Sequence, residues 1–294
     1  MSIDVCVVGS ANLDLVARVD RIPRPGETVL GSGYFEAPGG KGLNQAVAAA
    51  RSGARTAFVG RVGHDAAGDA LLGVLFADRI DARAVDRCDA PTGRAMIAVG
   101  DDGENSIVVV PGANATLDAA AVGIHGSVVA AASVVLVQLE IPLDTVLEVL
   151  SVARAVGATT IVNPAPAQPL SRELLGLVDV LVPNEHEVAL LGGAASLLSA
   201  GVGTVVVTEG PRGARLVTTD GEEHVPPFSV TPIDTTAAGD SFCGALAARL
   251  AAGHRLLDAL RWSCAAGALA TTRAGAVPSI PTAEAIEALV TNAR

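Results

Sequence analysis

Short apolar runs separated by longer small-residue segments constrain this chain more than any other feature. The runs are residues 5–8, 56–59, 134–139, 160–162, 178–182 and 204–208, rich in Val, Ile and Leu. Runs of this length and composition read as strands buried on both faces. Between them, residues 42–52, 66–75 and 143–156 carry Ala and Leu at helical spacing. Strand, helix and strand in repetition predict an α/β fold: a three-layer α/β/α body around a mainly parallel central sheet. Two stretches break the alternation. Residues 14–37 hold the run 15–19, a turn with Pro23, Pro25 and Gly26, and then the run 28–35. Residues 94–110 hold 95–99, the turn 101–104, and 106–110. Neither stretch has a crossover helix between its strands, so both read as β-hairpins. They predict a small β-sheet lid on a single domain spanning residues 1–294.

Composition narrows the function classes. Half of the residues are hydrophobic and 17% are charged, which excludes a disordered chain. Only 2% are aromatic, so the core is aliphatic. A net charge of −11 excludes a broad basic surface, and hence nucleic acid as a partner; any polyanionic ligand must be held by local devices. Cys6, Cys88, Cys243 and Cys264 lie far apart with no CxxC pair, which argues against a zinc site or a disulfide framework and for a cytoplasmic protein. Residues 1–9 have no basic stretch and read as a strand rather than a signal peptide. Residues 119–139 lack Asp, Glu, Lys and Arg, but Gly123, His125, Gly126, Ser127, Ser133 and Gln138 interrupt them. They read as a short helix or turn followed by a buried strand, with no membrane partner.

The strongest chemical signal lies in residues 230–250. A loop of small residues ends in Gly239-Asp240 and runs into an apolar-periodic helix. The free N–H groups and positive dipole end of such a helix form an anion site. Asp240 is then either a helix-start acid or a carboxylate beside an anion hole, placed to take a proton from a hydroxyl that attacks phosphorus. A second loop, Ala37-Pro38-Gly39-Gly40-Lys41-Gly42-Leu43-Asn44-Gln45-Ala46, is either a tight turn with a surface lysine or part of a ligand site. It is not a Walker A loop, and Gly9-Ser10-Ala11-Asn12 does not fit the dinucleotide fingerprint, which weighs against P-loop NTPases and NAD enzymes. Asn12, Asp14 and Glu140 follow buried strands, where they serve as turn residues or as ligand contacts at the carboxyl edge of a sheet.

Eight ordered segments make the chain resemble the ribokinase-like (PfkB-type) carbohydrate kinases from end to end. They are residues 8–14, Pro25-Gly26-Glu27-Thr28, residues 39–46, Gln138-Leu139-Glu140, Asn163-Pro164-Ala165-Pro166-Ala167, Pro183-Asn184-Glu185-His186-Glu187, Thr208-Glu209-Gly210-Pro211-Arg212-Gly213, and residues 234–240. The resemblance implies an ATP-dependent kinase that phosphorylates D-ribose at its 5-hydroxyl, or a related kinase of deoxyribose, fructose or a nucleoside such as adenosine. It implies Asp240 as the base and the amides of Ala237, Ala238, Gly239 and Asp240 as the anion hole. Asn12, Asp14, Gly40, Lys41, Asn44, Glu140 and Asp240 are the implied sugar contacts. Asn184 and Glu187 match a family motif that the resemblance places near Mg²⁺ and the phosphates; Thr208, Gly210, Gly213, Gly239 and Cys264 match nucleotide positions. Asp234, Thr236, Ala270, Arg273, Gly275 and Ser279 match a monovalent-cation (K⁺) site, although a glycine-rich turn and a capping serine would look similar. Pairing of lids implies a homodimer. Three departures stand out: residues 191–203 leave little room for the helical region usual there, Glu209 replaces an apolar residue, and Cys264 stands where His or Asn is frequent. With so few rings, adenine is expected between aliphatic side chains.

Overall fold

The computed structural model describes residues 3–293. Along the chain, β1 (Ile3–Val8) leads into β2 (Asn12–Val19) and β3 (Gly31–Gly39), then α1 (Lys41–Arg51), β4 (Thr56–Gly63), α2 (Ala66–Ala77) and β5 (Asp81–Cys88). Next come β6 (Gly93–Gly100), β7 (Asn105–Val110), α3 (Ala119–Ile124), α4 (Gly126–Ala130), β8 (Ala132–Gln138), α5 (Leu143–Ala155) and β9 (Thr159–Asn163). The second half holds α6 (Arg172–Leu175), β10 (Val180–Leu181), α7 (Glu185–Leu190), α8 (Ala194–Ser199), β11 (Thr204–Thr208), β12 (Ala214–Thr218) and β13 (Gly221–Val225). Three helices close the chain: α9 (Ala238–Ala251), α10 (Leu256–Ala270) and α11 (Ala283–Asn292).

Nine strands form the central sheet in the order β13-β12-β11-β10-β9-β8-β1-β4-β5. It is parallel from β11 through β5 and turns antiparallel at β12 and β13. Side chains alternate across it. Val5 and Val7 of β1 join a core under α1, α9, α10 and α11, while Cys6 and Val8 join a second core under α3 to α8. Two cores on opposite faces of one sheet give the three layers expected. The strand order runs away from β1 in both directions, so β1 is the topological switch point, and ligands in such sheets bind beyond its carboxyl end.

The residues expected to form a lid make a second, four-stranded sheet, β3-β2-β6-β7. The two hairpins expected from sequence are joined by parallel pairing of β2 with β6. The lid starts earlier and ends later than residues 14–37, because β2 begins at Asn12 and β3 ends at Gly39. Those two residues pair, so the root of the lid is also the loop beyond β1.

Two parts of the sheet differ from the sequence reading. Strand β5 and the β12–β13 hairpin carry charged residues at alternate or successive positions, as edge strands do, and so lack a continuous apolar run. The run 178–182 shrinks to the two-residue β10. Residues 191–203, short as they are, fold into the six-residue α8. Residues 119–139 form α3, α4 and β8, and among the described residues no helix is long and apolar enough to cross a membrane. All four cysteines are free.

Candidate active site

The site lies where β1, β8, β9, β10 and β11 end and where α1 and α9 begin. Helices α1 and α9 pack face to face through small residues. A Cβ at Gly244 would lie 2.4 Å from the Gln45 carbonyl and 2.5 Å from the Ala48 methyl, so only glycine permits this approach. The approach sets the first turn of α9, with Asp240, against the first turn of α1, with Asn44 and Gln45. Asp240 is 8% exposed. One of its oxygens accepts a hydrogen bond from Asn44 Nδ2 (3.0 Å) and the other from Gln45 Nε2 (2.9 Å).

On one side of Asp240 is a cluster of polar side chains. Glu140, just past β8, accepts from the Ser10 hydroxyl, from the Lys41 backbone N–H (3.3 Å) and from Asn12 Nδ2 (3.5 Å). The Asn12 side-chain oxygen accepts from Asn114 Nδ2 (2.8 Å), and Asn114 also bonds the Ala11 N–H and C=O groups. Asn114 therefore orients Asn12. Gly40 caps α1 at φ 93°, a conformation disfavoured for any residue with a Cβ. Asn44 Oδ1 is buried without a partner. Such an orphaned acceptor is costly unless a ligand donor reaches it. Burial, then the neighbouring Glu140 and Asp240 carboxylates, push Asp14 up to about 7. Lys41 feels burial as its largest influence, which lowers it, but Asp240, Glu140 and Glu187 outweigh that and hold it above the ordinary lysine value.

On the other side opens a cavity of about 590 Å³, whose wall includes Lys41, Glu187, Thr208, Gly210, Ala237, Ala238, Gly239 and Asp240. Its lining carries no Phe, Tyr or Trp. Ala237 takes the left-handed conformation (φ 59°) before α9, unusual for a residue with a Cβ and typical of functional loops. The Ala238 N–H already bonds the Thr235 carbonyl at 3.3 Å. The amides of Gly239 and Asp240 lie in the first helical turn, which has no carbonyl acceptors of its own. Asn184 and Glu187 form a capping box on α7: Asn184 Oδ1 accepts from the Glu187 N–H and Glu187 Oε2 from the Asn184 N–H, both at 2.8 Å. Burial raises Glu187 above the usual carboxylate range, against the Asn184 hydrogen bond and Lys41.

Asp234 ties the loop before α9 to the loop after α10. It accepts from the Thr236 N–H (2.9 Å) and hydroxyl (2.6 Å) with one oxygen and from the Gly275 N–H (2.8 Å) with the other. Burial alone would raise its pKa, but these bonds hold it below the ordinary value. Ala270 and Ser279 are buried nearby in sequence, and the Ser279 hydroxyl donates to the Ala276 carbonyl at 2.8 Å. Arg51, at the end of α1, bonds the Val277 and Ile280 carbonyls (2.7 and 2.9 Å) while paired with Asp78. Arg273 makes no side-chain hydrogen bond or ion pair among the described residues.

Two nucleotide positions expected from sequence lie off the cavity wall. Gly213 packs beneath the loop against the Val225 carbonyl. Cys264 is buried on α10, its thiol pushed up to about 12 by burial. Glu209 lines the cavity but is held by Arg215 at 3.1 Å, which explains how an acid is accommodated there. Asn163, Ala165, Val182, Glu185, His186, Pro211, Arg212, Thr235 and Cys243 also line the cavity, and no site role was read for them in sequence. Asn114 and Gln45 were missed as well. Asn114 sits in a short 3-10 turn with no apolar periodicity, whereas Gln45 lies within the glycine-rich segment 37–46.

A family model described as "pfkB family carbohydrate kinase" matches residues 2–283. The ribokinase of Bacillus subtilis is 39% identical over 293 residues, covering 98% of this chain and 99% of that protein. A bifunctional ribokinase/ribose-5-phosphate isomerase A of Fructilactobacillus sanfranciscensis is 40% identical across 96% of this chain, and the chain spans 55% of that longer protein. Among solved structures, Arabidopsis thaliana ribokinase complexed with ribose and ATP superposes with a TM-score of 0.91 at 31% identity, covering 99% of each chain.

Proposed function

The chain belongs to the pfkB family of carbohydrate kinases, and on that premise we propose that it transfers the γ-phosphoryl group of ATP to the 5-hydroxyl of D-ribose, giving ribose 5-phosphate. One observation carries the reading. Asp240 stands between a cluster of sugar-type contacts and a cavity of about 590 Å³, in the first turn of a helix whose first residues line that cavity.

The residues divide the work. Asn12, Asp14, Asn44 and Glu140, with the Gly40–Lys41 backbone, satisfy the donors and acceptors of a desolvated polyol. Asp240 takes the proton of the attacking hydroxyl, and the Gly239 and Asp240 amides, with Lys41, stabilise charge on the transferred group. The Ala238 amide contributes less, because Thr235 already occupies it. The lid, rooted at Asn12 and Gly39, closes over the sugar and excludes water.

Mg²⁺ and K⁺ fit the donors present. The cavity offers Glu187 as a carboxylate beside the phosphate region, and Mg²⁺ is commonly held by one or two carboxylates together with substrate phosphates and water. Glu187 would hold Mg²⁺ there, and the ion would supply neutralisation of phosphate charge. Asp234, the Ser279 hydroxyl and backbone carbonyls of 270–279 would supply the oxygen ligands that K⁺ takes, and K⁺ there would order the loop carrying the anion hole; the Asp234–Gly275 bond that joins the two loops supports this. We further propose a homodimer through the lid, supported by exposed Tyr34, Phe35, Met96 and Ile107 to Val110, and a cytoplasmic location, supported by four free thiols.

Initial rates of ADP formation over D-ribose, 2-deoxyribose, fructose and adenosine test the assignment. The highest kcat/KM is expected for ribose, and a higher value for another acceptor overturns it.

A further inference from the structure

One oxygen of the Asp240 carboxylate is held by Gln45, whose amide is joined in turn to those of Gln138 and Asn163. Gln45 Nε2 has two hydrogens and two acceptors, Asp240 Oδ1 at 2.9 Å and Asn163 Oδ1 at 3.1 Å. Gln45 Oε1 accepts from Gln138 Nε2 at 2.6 Å. Both glutamines are fully buried.

The direction of this chain is fixed from outside. Asn163 Nδ2 donates to the Val182 backbone carbonyl at 2.9 Å, and a carbonyl can only accept. Asn163 must therefore turn its oxygen toward Gln45, and Gln45 must answer with its NH₂ group. That leaves the Gln45 oxygen to meet the Gln138 NH₂. Only this orientation presents a donor to an ionised Asp240; a flipped Gln45 would face the carboxylate with oxygen against oxygen. The Gln138 oxygen is left buried without a partner. Room for it comes from Gly9, where a Cβ would lie 1.9 Å from that oxygen. A glycine in the loop beyond β1 thus serves the amide chain.

We propose that Gln45 is a positioning residue for phosphoryl transfer, with its amide held in one orientation by Gln138 and Asn163. It fixes one oxygen of Asp240 and leaves the other, held by Asn44, to face the sugar hydroxyl. The role rests on Asp240 being the base. The groups that also face Asp240 electrostatically are Lys41 from α1, Asp14 from β2, Glu187 from α7 and Cys243 one turn along α9. None of them replaces a neutral donor on Oδ1.

The test compares Gln45→Met, Gln138→Leu, their double variant and Asp240→Asn by pH–rate profiles, with ribose affinity from calorimetry. Losing a hydrogen bond to a charged group corresponds to a kcat loss of about 10- to 100-fold in Q45M. The acid limb of the profile should move up by about one pH unit, because the ionised form has lost a donor. Ribose affinity should hold. Q138L touches neither Asp240 nor the cavity yet should shift the limb the same way, and the double variant should be no worse than Q45M alone. If Q45M does not fold, Q138L carries the same readouts. A merely structural role would lower thermal stability without moving the limb. If D240N is inactive while Q45M or Q138L keeps the wild-type kcat and acid limb, the positioning role is wrong. If D240N turns over at the wild-type rate, the base assignment fails and this inference falls with it.

Discussion

Replacing Asp14 by Asn should make the protein more stable and a worse kinase, and the pH dependence of the gain identifies its cause. In the sugar-free protein Asp14 titrates at about 7 rather than 3.8, first through burial and then through Glu140 and Asp240. Among the described residues, no side-chain hydrogen bond offsets that cost. Each tenfold change in proton affinity is worth about 1.4 kcal/mol. The ionised carboxylate therefore costs the fold at most about 4 kcal/mol above pH 8. The sign follows from proton counting. Between about pH 4 and 7 the folded chain holds a proton the unfolded chain has lost, so this group's contribution to stability falls as pH rises through that window and levels off above it. Asn has the same shape and no charge. D14N should thus gain about 2 to 4 kcal/mol at pH 8 and almost nothing at pH 4, measured by urea unfolding at both values. Ribose binding should weaken by about 10- to 100-fold, because hydroxyl donors lose a charged acceptor. Equal stability differences at pH 4 and pH 8, or a loss at pH 8, would refute the reasoning.

Three further outcomes follow from the geometry. Asn184→Ala removes half of the capping box on α7 and should cost about 1 kcal/mol of stability; in steady-state kinetics the KM for Mg·ATP should rise while that for ribose stays put. Val108→Asp places a charge on the exposed lid strand of each copy and should convert a dimer to a monomer in sedimentation velocity, without changing thermal stability. Exchanging K⁺ for Na⁺ at constant ionic strength should lower kcat and leave ribose binding unchanged, since the Asp234 loop acts on the anion hole rather than on the sugar.

The α/β body was legible because its central strands are buried on both faces and read as unbroken Val, Ile and Leu runs. Edge strands β5 and β13 were not, since only one residue in each is buried. Asp240 and the glycine loops were legible because their chemistry is local in sequence. Asn114, Gln138 and Asn163 were invisible as site residues for the opposite reason: their meaning lies in partners at separations of 102, 93 and 118 residues. The capping box at 184–187 illustrates an overlap, since one N-x-x-E spacing both starts a helix and presents Glu187 to the cavity.

The central claim is that Asp240 accepts the proton of a sugar hydroxyl bound beside it. Its most direct test is single-turnover phosphorylation of ribose by Asp240→Asn, paired with calorimetric ribose binding. General-base loss predicts a rate about 10² to 10⁴-fold lower with ribose affinity retained. Transfer at the wild-type rate, with ribose still bound, would contradict the account.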